Sequence, residues 1–149
     1  MPDFLETTVD KFTFKVATDR YYTDEGVWAK PEGRRVRIGV SDFLQQRSGD
    51  VAFVEVKPAG TAVGLGDEIS TLETIKVNIS LASPVTGVIA QSNSAMSRAP
   101  EAINQDPYGA GWLADLDVPD WEADRLRLSD AEAYFRLMKG QAEDEAKKP

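Results

Sequence analysis

One lysine in this chain stands where its amine can be used. In Leu72-Glu73-Thr74-Ile75-Lys76-Val77-Asn78-Ile79-Ser80-Leu81, two β-type apolar runs meet and leave Lys76 between them. Ile69, Thr71, Glu73 and Ile75 before it, and Val77, Ile79 and Leu81 after it, have the period-2 spacing of strands with one buried face. A lysine at such a junction projects from a hairpin tip, which is how a protein presents an amine for covalent modification. Gly60-Thr61-Ala62-Val63-Gly64-Leu65-Gly66-Asp67-Glu68 upstream and Ser83-Pro84-Val85-Thr86-Gly87 downstream supply turn chemistry on both sides.

The rest of the chain offers little reactive chemistry of its own. It has no histidine and no cysteine, so it lacks a ready general base near neutrality, a thiol nucleophile and a thiolate metal site. Its 25 acidic residues are scattered without calcium-loop spacing, and they read as a solvated acidic surface. No catalytic residue and no metal site is expected; redox or acyl chemistry must come from something attached. A net charge of −8 disfavours nucleic acid and anionic membranes, both polyanions, and suits a protein partner with a basic docking face. No apolar run reaches membrane-spanning length, and Met1-Pro2-Asp3-Phe4-Leu5-Glu6 lacks the basic and apolar regions of a secretory signal. A cytoplasmic protein is expected.

The elements that must position Lys76 are legible in outline. With 149 residues, 42% of them hydrophobic, the chain suits one domain with a core. Phe12 to Val16 reads as a strand, and Val27-Trp28-Ala29 pairs with Arg35-Val36-Arg37-Ile38 through Pro31-Glu32-Gly33. Ser41 caps a short helix to about Gln46, ended by Gly49-Asp50 before a strand from Val51 to Val56. After the lysine hairpin come a strand from Val85 to Gln91, a partly helical connection from Asn93 to Asn104, and a strand from Gly111 to Leu116. Gly64, Gly66 and Gly87 read as turn residues, and Trp28 and Trp112 as core. Ser129-Asp130-Ala131-Glu132 is a capping-box pattern, and Leu128, Ala131, Phe135 and Met138 form an apolar stripe, predicting a helix from about Asp130 to Lys139. The fold class is mainly β with short helices, a flattened barrel or sandwich with a C-terminal helix. Residues 1–140 form the domain; 141–149 read as a charged, disordered tail.

The hairpin resembles the lipoyl-lysine hairpin of lipoyl carrier domains, most closely the H proteins of the glycine cleavage system. Tyr22-Thr23-Asp24-Glu25 to Trp28, Ile38-Gly39-Val40-Ser41-Asp42-Phe43 and Gly49-Asp50-Val51-Ala52-Phe53-Val54-Glu55-Val56 look like that family's successive segments. Ile103-Asn104-Gln105-Asp106-Pro107-Tyr108-Gly109-Ala110-Gly111-Trp112-Leu113 looks like its late motif. The resemblance spans about Tyr22 to Tyr134. It implies a lipoyl/biotinyl-type fold, lipoate joined to Lys76 as an amide, and Glu73 as the acidic residue read by the lipoate-attaching enzyme. It implies a carrier that partner enzymes act upon, with no catalysis of its own. Glu73 alone could be a solvated strand glutamate.

Two alternatives concern the lysine itself. Biotin carriers use a similar hairpin, but their lysine usually sits between methionines, whereas Lys76 lies between Ile75 and Val77. A scaffold that has lost modification and serves as a regulatory module also stays open. The cargo is a separate question. Where H proteins commonly have Glu-Ser-Val-Lys-Ala, this chain has Glu73-Thr74-Ile75-Lys76-Val77, and Gly26-Val27 replaces the histidine usual before the tryptophan. With the long tail, these departures look like the lipoate-binding proteins of heterodisulfide-reductase-like sulfur oxidation. That likeness implies a sulfur cargo delivered to a heterodisulfide-reductase-like complex, with dihydrolipoyl dehydrogenase restoring the ring. The alternative is the aminomethyl group of glycine cleavage.

Overall fold

The computed structural model describes residues 3–148. Its first strands are β1 (Phe4–Val9), β2 (Phe12–Ala17), β3 (Tyr21–Tyr22), β4 (Val27–Glu32) and β5 (Arg35–Val40), followed by helix α1 (Asp42–Ser48). Then come β6 (Val51–Val56), β7 (Ala62–Val63), β8 (Glu68–Thr74), β9 (Asn78–Ala82) and β10 (Gly87–Ser92). A 3-10 turn (Ser94–Ser97), α2 (Ala102–Gln105), β11 (Ala114–Asp117), α3 (Trp121–Arg125) and α4 (Ala131–Ala146) complete the chain order. This is mainly β with short helices and a C-terminal helix, as the sequence predicts.

The strands form a six-stranded sheet ordered β3-β4-β5-β11-β10-β7, a three-stranded sheet ordered β6-β8-β9, and the hairpin β1-β2. Residues from both larger sheets share one core: Val27, Ile38, Ile89 and Leu116 from one, Ile69, Leu72 and Leu81 from the other. Removing such side chains from water is the main stabilising term of a sandwich. The lysine hairpin belongs to the smaller sheet, so its base is anchored by that core while its tip lies at the protein surface.

A second cluster lies between the N-terminal hairpin, α1 and α4, built from Phe14, Val16, Tyr22, Trp28, Phe43, Tyr134 and Met138. Tyr22 and Tyr134 stack with centroids 4.5 Å apart. The Tyr134 hydroxyl lies 2.9 Å from that of Ser41, the N-cap of α1. Helix α4 thereby braces α1, whose C-terminus leads straight into the strand beside the lysine hairpin.

Several boundaries differ from the sequence reading for physical reasons. The strand expected from Gly111 is β11, starting at Ala114, because Gly111 is packed against the Ala102 carbonyl and Ile103, where a Cβ would come within 2.6–2.7 Å. Gly87 is not a turn residue; it begins β10 where a Cβ would collide with the Asp117 carbonyl of the neighbouring strand. Trp28 is fully buried, whereas Trp112 is half-buried, its ring covered by the Arg37 guanidinium at 4.0 Å. Asp130, not Ser129, caps α4 by accepting from Ala133 N at 2.8 Å; Ser129 instead exchanges two backbone hydrogen bonds with Tyr22.

The helix expected to stop before Gly140 continues to Ala146, so residues 141–146 are helical where a disordered tail was expected. Pro149 lies outside the described residues. Glycine inside a helix costs about 0.5–1 kcal/mol relative to alanine. Burial of Ala142 against the second cluster and the Arg47–Glu145 ion pair at 2.8 Å offset that cost. Strands β1, β3 and β7 and helix α3 were not foreseen; two of those strands have only two residues each, too short for a periodic signal.

Candidate functional site: the Lys76 hairpin

Strands β8 and β9 pair antiparallel from Glu68↔Ala82 to Glu73↔Asn78, leaving Thr74 to Val77 to reverse the chain. Thr74 organises that reversal. Its amide donates to the Val77 carbonyl at 2.9 Å, and its hydroxyl oxygen accepts from the amides of Lys76 at 3.2 Å and Val77 at 3.0 Å. The same hydroxyl donates to the Ser48 carbonyl at 2.7 Å, and the Ile75 amide donates to Asp50 O at 3.2 Å. The tip is therefore closed upon itself and tied to the last residue of α1 and to Asp50 just after it.

Lys76 is exposed, between Ile75 at 77% and Val77 at 43% exposure. Its stem passes over Gly49, where a Cβ would stand 3.1 Å from Lys76 Cδ, and its ammonium donates to the Arg47 carbonyl at 3.2 Å. Gly49 has φ +91°, a conformation that favours glycine, and it ends α1. A lysine resting on one carbonyl at the protein surface gives up little when it extends toward a partner.

The support of this tip reaches back to the late motif. Asn104 Nδ2 donates to Gly49 O at 3.0 Å and to Gln45 Oε1 at 3.0 Å, while its oxygen accepts from the Val51 amide at 2.9 Å. One carboxamide thus joins the end of α1 to the start of β6. The rest of the motif clamps the second cluster: Trp28 Nε1 donates to Val40 O and Pro107 O at 3.0 and 3.1 Å. Tyr108 OH donates to Lys15 O at 2.7 Å, and Arg20 lies over both the Trp28 and Tyr108 rings. Burial raises the phenols of Tyr22 and Tyr108 well above their usual range and pushes Tyr134 up to about 12. These hydroxyls are structural donors and acceptors.

Beside the lysine lies a groove of about 850 Å³ whose apolar wall includes Leu44, Val77, Ile79 and Leu81. Asp24, Glu25 and Glu145 bring carboxylates to it, and Arg47 and Lys148 bring cations. Glu73 does not face this groove. It projects from the other side of the small sheet, exposed and across from Phe53 of β6. The structure places Lys76 at the hairpin tip and Glu73 on its β8 strand, as the sequence pattern predicts; Thr74, Gly49 and Asn104 as positioning residues were not foreseen. Asn104 was visible inside the quoted motif, but nothing local says which backbone atoms its side chain reaches.

Comparison with known proteins identifies the family: the pattern described as Glycine cleavage H-protein matches residues 20–141. The chain belongs to the glycine cleavage H-protein family. A glycine cleavage system H protein of Thermus thermophilus is 38% identical over 127 residues, which are 85% of this chain and 98% of that protein. Its counterpart in Salinibacter ruber is 40% identical over 117 residues, covering 77% and 94% of the two chains. The crystal structure of a glycine cleavage system H protein from Mycobacterium marinum superposes with a TM-score of 0.70 at 30% identity, over 83% of this chain and 96% of that one.

Membership makes the protein a lipoyl carrier and not itself an enzyme; H proteins bear lipoate on a lysine. A lipoate-attaching enzyme and a dihydrolipoyl dehydrogenase are the general partners of such carriers. The sulfur-oxidation branch expected from the hairpin departures is not what these relatives are: they are glycine cleavage H proteins. The departures are accommodated locally. Thr74 supplies the hydroxyl that organises the turn, Val77 lengthens the groove wall, and Gly26 adopts φ +98° in a site crowded by Ser41 and Tyr134. Among the described residues no helix is long and apolar enough to cross a membrane.

Proposed function

We propose that Lys76 is the lipoyl attachment residue and that the arm carries the aminomethyl unit of glycine between the enzymes of glycine cleavage in the cytoplasm. Lipoate joined there as an amide supplies a redox-active dithiolane whose opened thiols hold the cargo. The residues present fit the group: the amine is exposed, its stem is unencumbered beyond Gly49, and a groove opens beside it. The observation that carries the choice of cargo is the pair of carboxylates Asp24 and Glu25 at that groove, left once Glu145 is paired with Arg47. Asp24 and Glu25, offset in part by Lys148, suit a cationic aminomethyl amine better than the anionic charge of oxidised sulfur. The names of the relatives support the same choice. Sulfur oxidation with a heterodisulfide-reductase-like complex is the weaker reading, since the hairpin departures have local structural explanations.

Two measurements test this. Peptide mapping of protein from its native host should place a lipoyl amide on Lys76, and an unmodified Lys76 in cells using glycine would overturn the attachment. Deletion of the gene should abolish growth on glycine as nitrogen source while thiosulfate oxidation stays normal; the reverse phenotype would assign the sulfur cargo.

A further inference from the structure

The outward face of the small sheet is unusual at the end nearest Lys76. Its last rung reads Phe53–Glu73–Asn78 and the next Glu55–Thr71–Ser80. Phe53 is 69% exposed, and Ile75, one residue before the lysine, is 77% exposed. Regular alternation would put Phe53 on the same side as buried Val51. A register shift between Val51 and Phe53 breaks the alternation, so that Val51, Val54 and Val56 contribute to the core and Phe53 faces water. A bulge is a common device for re-aiming a side chain beside a functional site, and an aromatic ring left in water adds nothing to the fold.

We infer that the Phe53–Glu73–Ile75 face is the docking surface for the enzyme that attaches lipoate, with Phe53 as its apolar anchor. The inference rests on Lys76 being the attachment residue. Continuity argues for this occupant: an enzyme that grips Lys76 must touch Ile75 in the same turn, and Glu73 shares its rung with Phe53. Charge argues for it too. Amide formation needs the carboxylic acid activated as a carboxyl–phosphoryl anhydride, drawn from a nucleoside triphosphate. The free amine of Lys76 attacks that carbonyl, the C–N bond forms, the C–O bond to phosphate breaks with its electron pair leaving on the nucleotide, and the surplus proton passes to solvent. A site built to hold such phosphates is cationic, and Glu55 and Glu73 present carboxylates to its rim. Beside Phe53 a groove of about 700 Å³ extends toward Met96, Arg98 and Pro100. The fitting partner therefore carries an apolar pocket with a basic border.

The test uses the full chain with a lipoate–protein ligase, ATP and free lipoate, following lipoylation by intact mass at increasing carrier concentration. Phe53→Ser should raise the carrier KM about ten-fold, the loss expected of one aromatic anchor, with kcat and melting temperature unchanged. Phe53→Tyr should retain parental kinetics. Phe12→Ser, which removes another exposed phenylalanine, from the N-terminal hairpin and outside the small sheet (57% exposed), should also leave them unchanged. Should Phe53→Ser destabilise the fold, Ile75→Ser supplies the same reading. Parental KM in the Phe53 and Ile75 variants, with wild-type chain lipoylated at Lys76, would overturn the docking surface alone. Absence of any lipoyl group on wild-type Lys76 would overturn the attachment reading and this inference with it. Loss of self-association in Phe53→Ser at parental KM would reassign the face to a second copy of the chain.

Discussion

The side chain of Asn104 bonds the Gly49 carbonyl at 3.0 Å and the Val51 amide at 2.9 Å, spanning the joint from which the Lys76 tip is suspended. Gly49 underlies the lysine stem, and the adjoining Ser48 and Asp50 carbonyls hold the turn. A residue in a distant motif therefore decides where the lysine stands. Asn104→Ala should cost about 2 kcal/mol, since it strands partly buried backbone groups. Asn104→Asp should be no better, because it keeps the acceptor for Val51 but turns a carboxylate toward the Gly49 carbonyl. Thermal melting of the three proteins checks the order, and an Asp variant as stable as the parent would contradict it.

Thr74 should matter more for lipoylation than for folding. Thr74→Val keeps the shape but removes the hydroxyl that meets Ser48 O and the Lys76 and Val77 amides, at an expected cost of about 1 kcal/mol. The loosened turn should lower the rate of lipoylation, whereas Thr74→Ser should match the parent. Rates by intact mass, alongside melting curves, separate the two effects.

Lys76→Arg should leave the fold untouched and abolish modification. The side chain is exposed, so its replacement should cost well under about 1 kcal/mol. Arginine retains charge but offers no amine for an amide. A large fall in melting temperature would mean that Lys76 is structural.

Truncation after Gly140 tests the end of α4. It removes buried Ala142 and the Arg47–Glu145 ion pair. The pair is half exposed and adds little, so the total loss should be about 1 kcal/mol, mostly from apolar burial. Differential scanning calorimetry should show a small drop in melting temperature; no drop would make these turns energetically idle.

Alkaline pH should unfold the protein through its tyrosines. Burial holds the Tyr134 proton more tightly in the fold, at about 12, than in the open chain, at 10.0. Its contribution is whole below 10.0 and is lost as pH rises through about 12. Tyr22 and Tyr108, raised by burial in the same direction, add to the decline. Melting temperature should hold below the free-phenol value and fall above it, with Tyr22, Tyr108 and Tyr134 ionising as the protein unfolds. Early ionisation of these phenols in folded protein would refute the account.

Local pattern alone determined the lysine hairpin, the strand from Val51 to Val56 and the caps of α1, because alternation, an N-cap serine and a helix-ending glycine act over a few residues. It also determined that the chain carries no histidine or cysteine chemistry and that Lys76 lies between two strands. Tertiary structure decided what those signals could not reach. Helix α4 runs past Gly140 because Ala142 finds a buried place and Glu145 finds Arg47, a partner from the far half of the chain. Tyr134 belongs to the buried stripe although its hydroxyl reads as polar, because Ser41 receives it. Phe53 faces water because of a register shift that no periodicity announces. The mixed charge of the groove beside Lys76 exists only once Asp24, Glu25, Arg47, Glu145 and Lys148, from distant parts of the chain, are brought together. Charge at a site is a sum over space, and only the fold performs that sum.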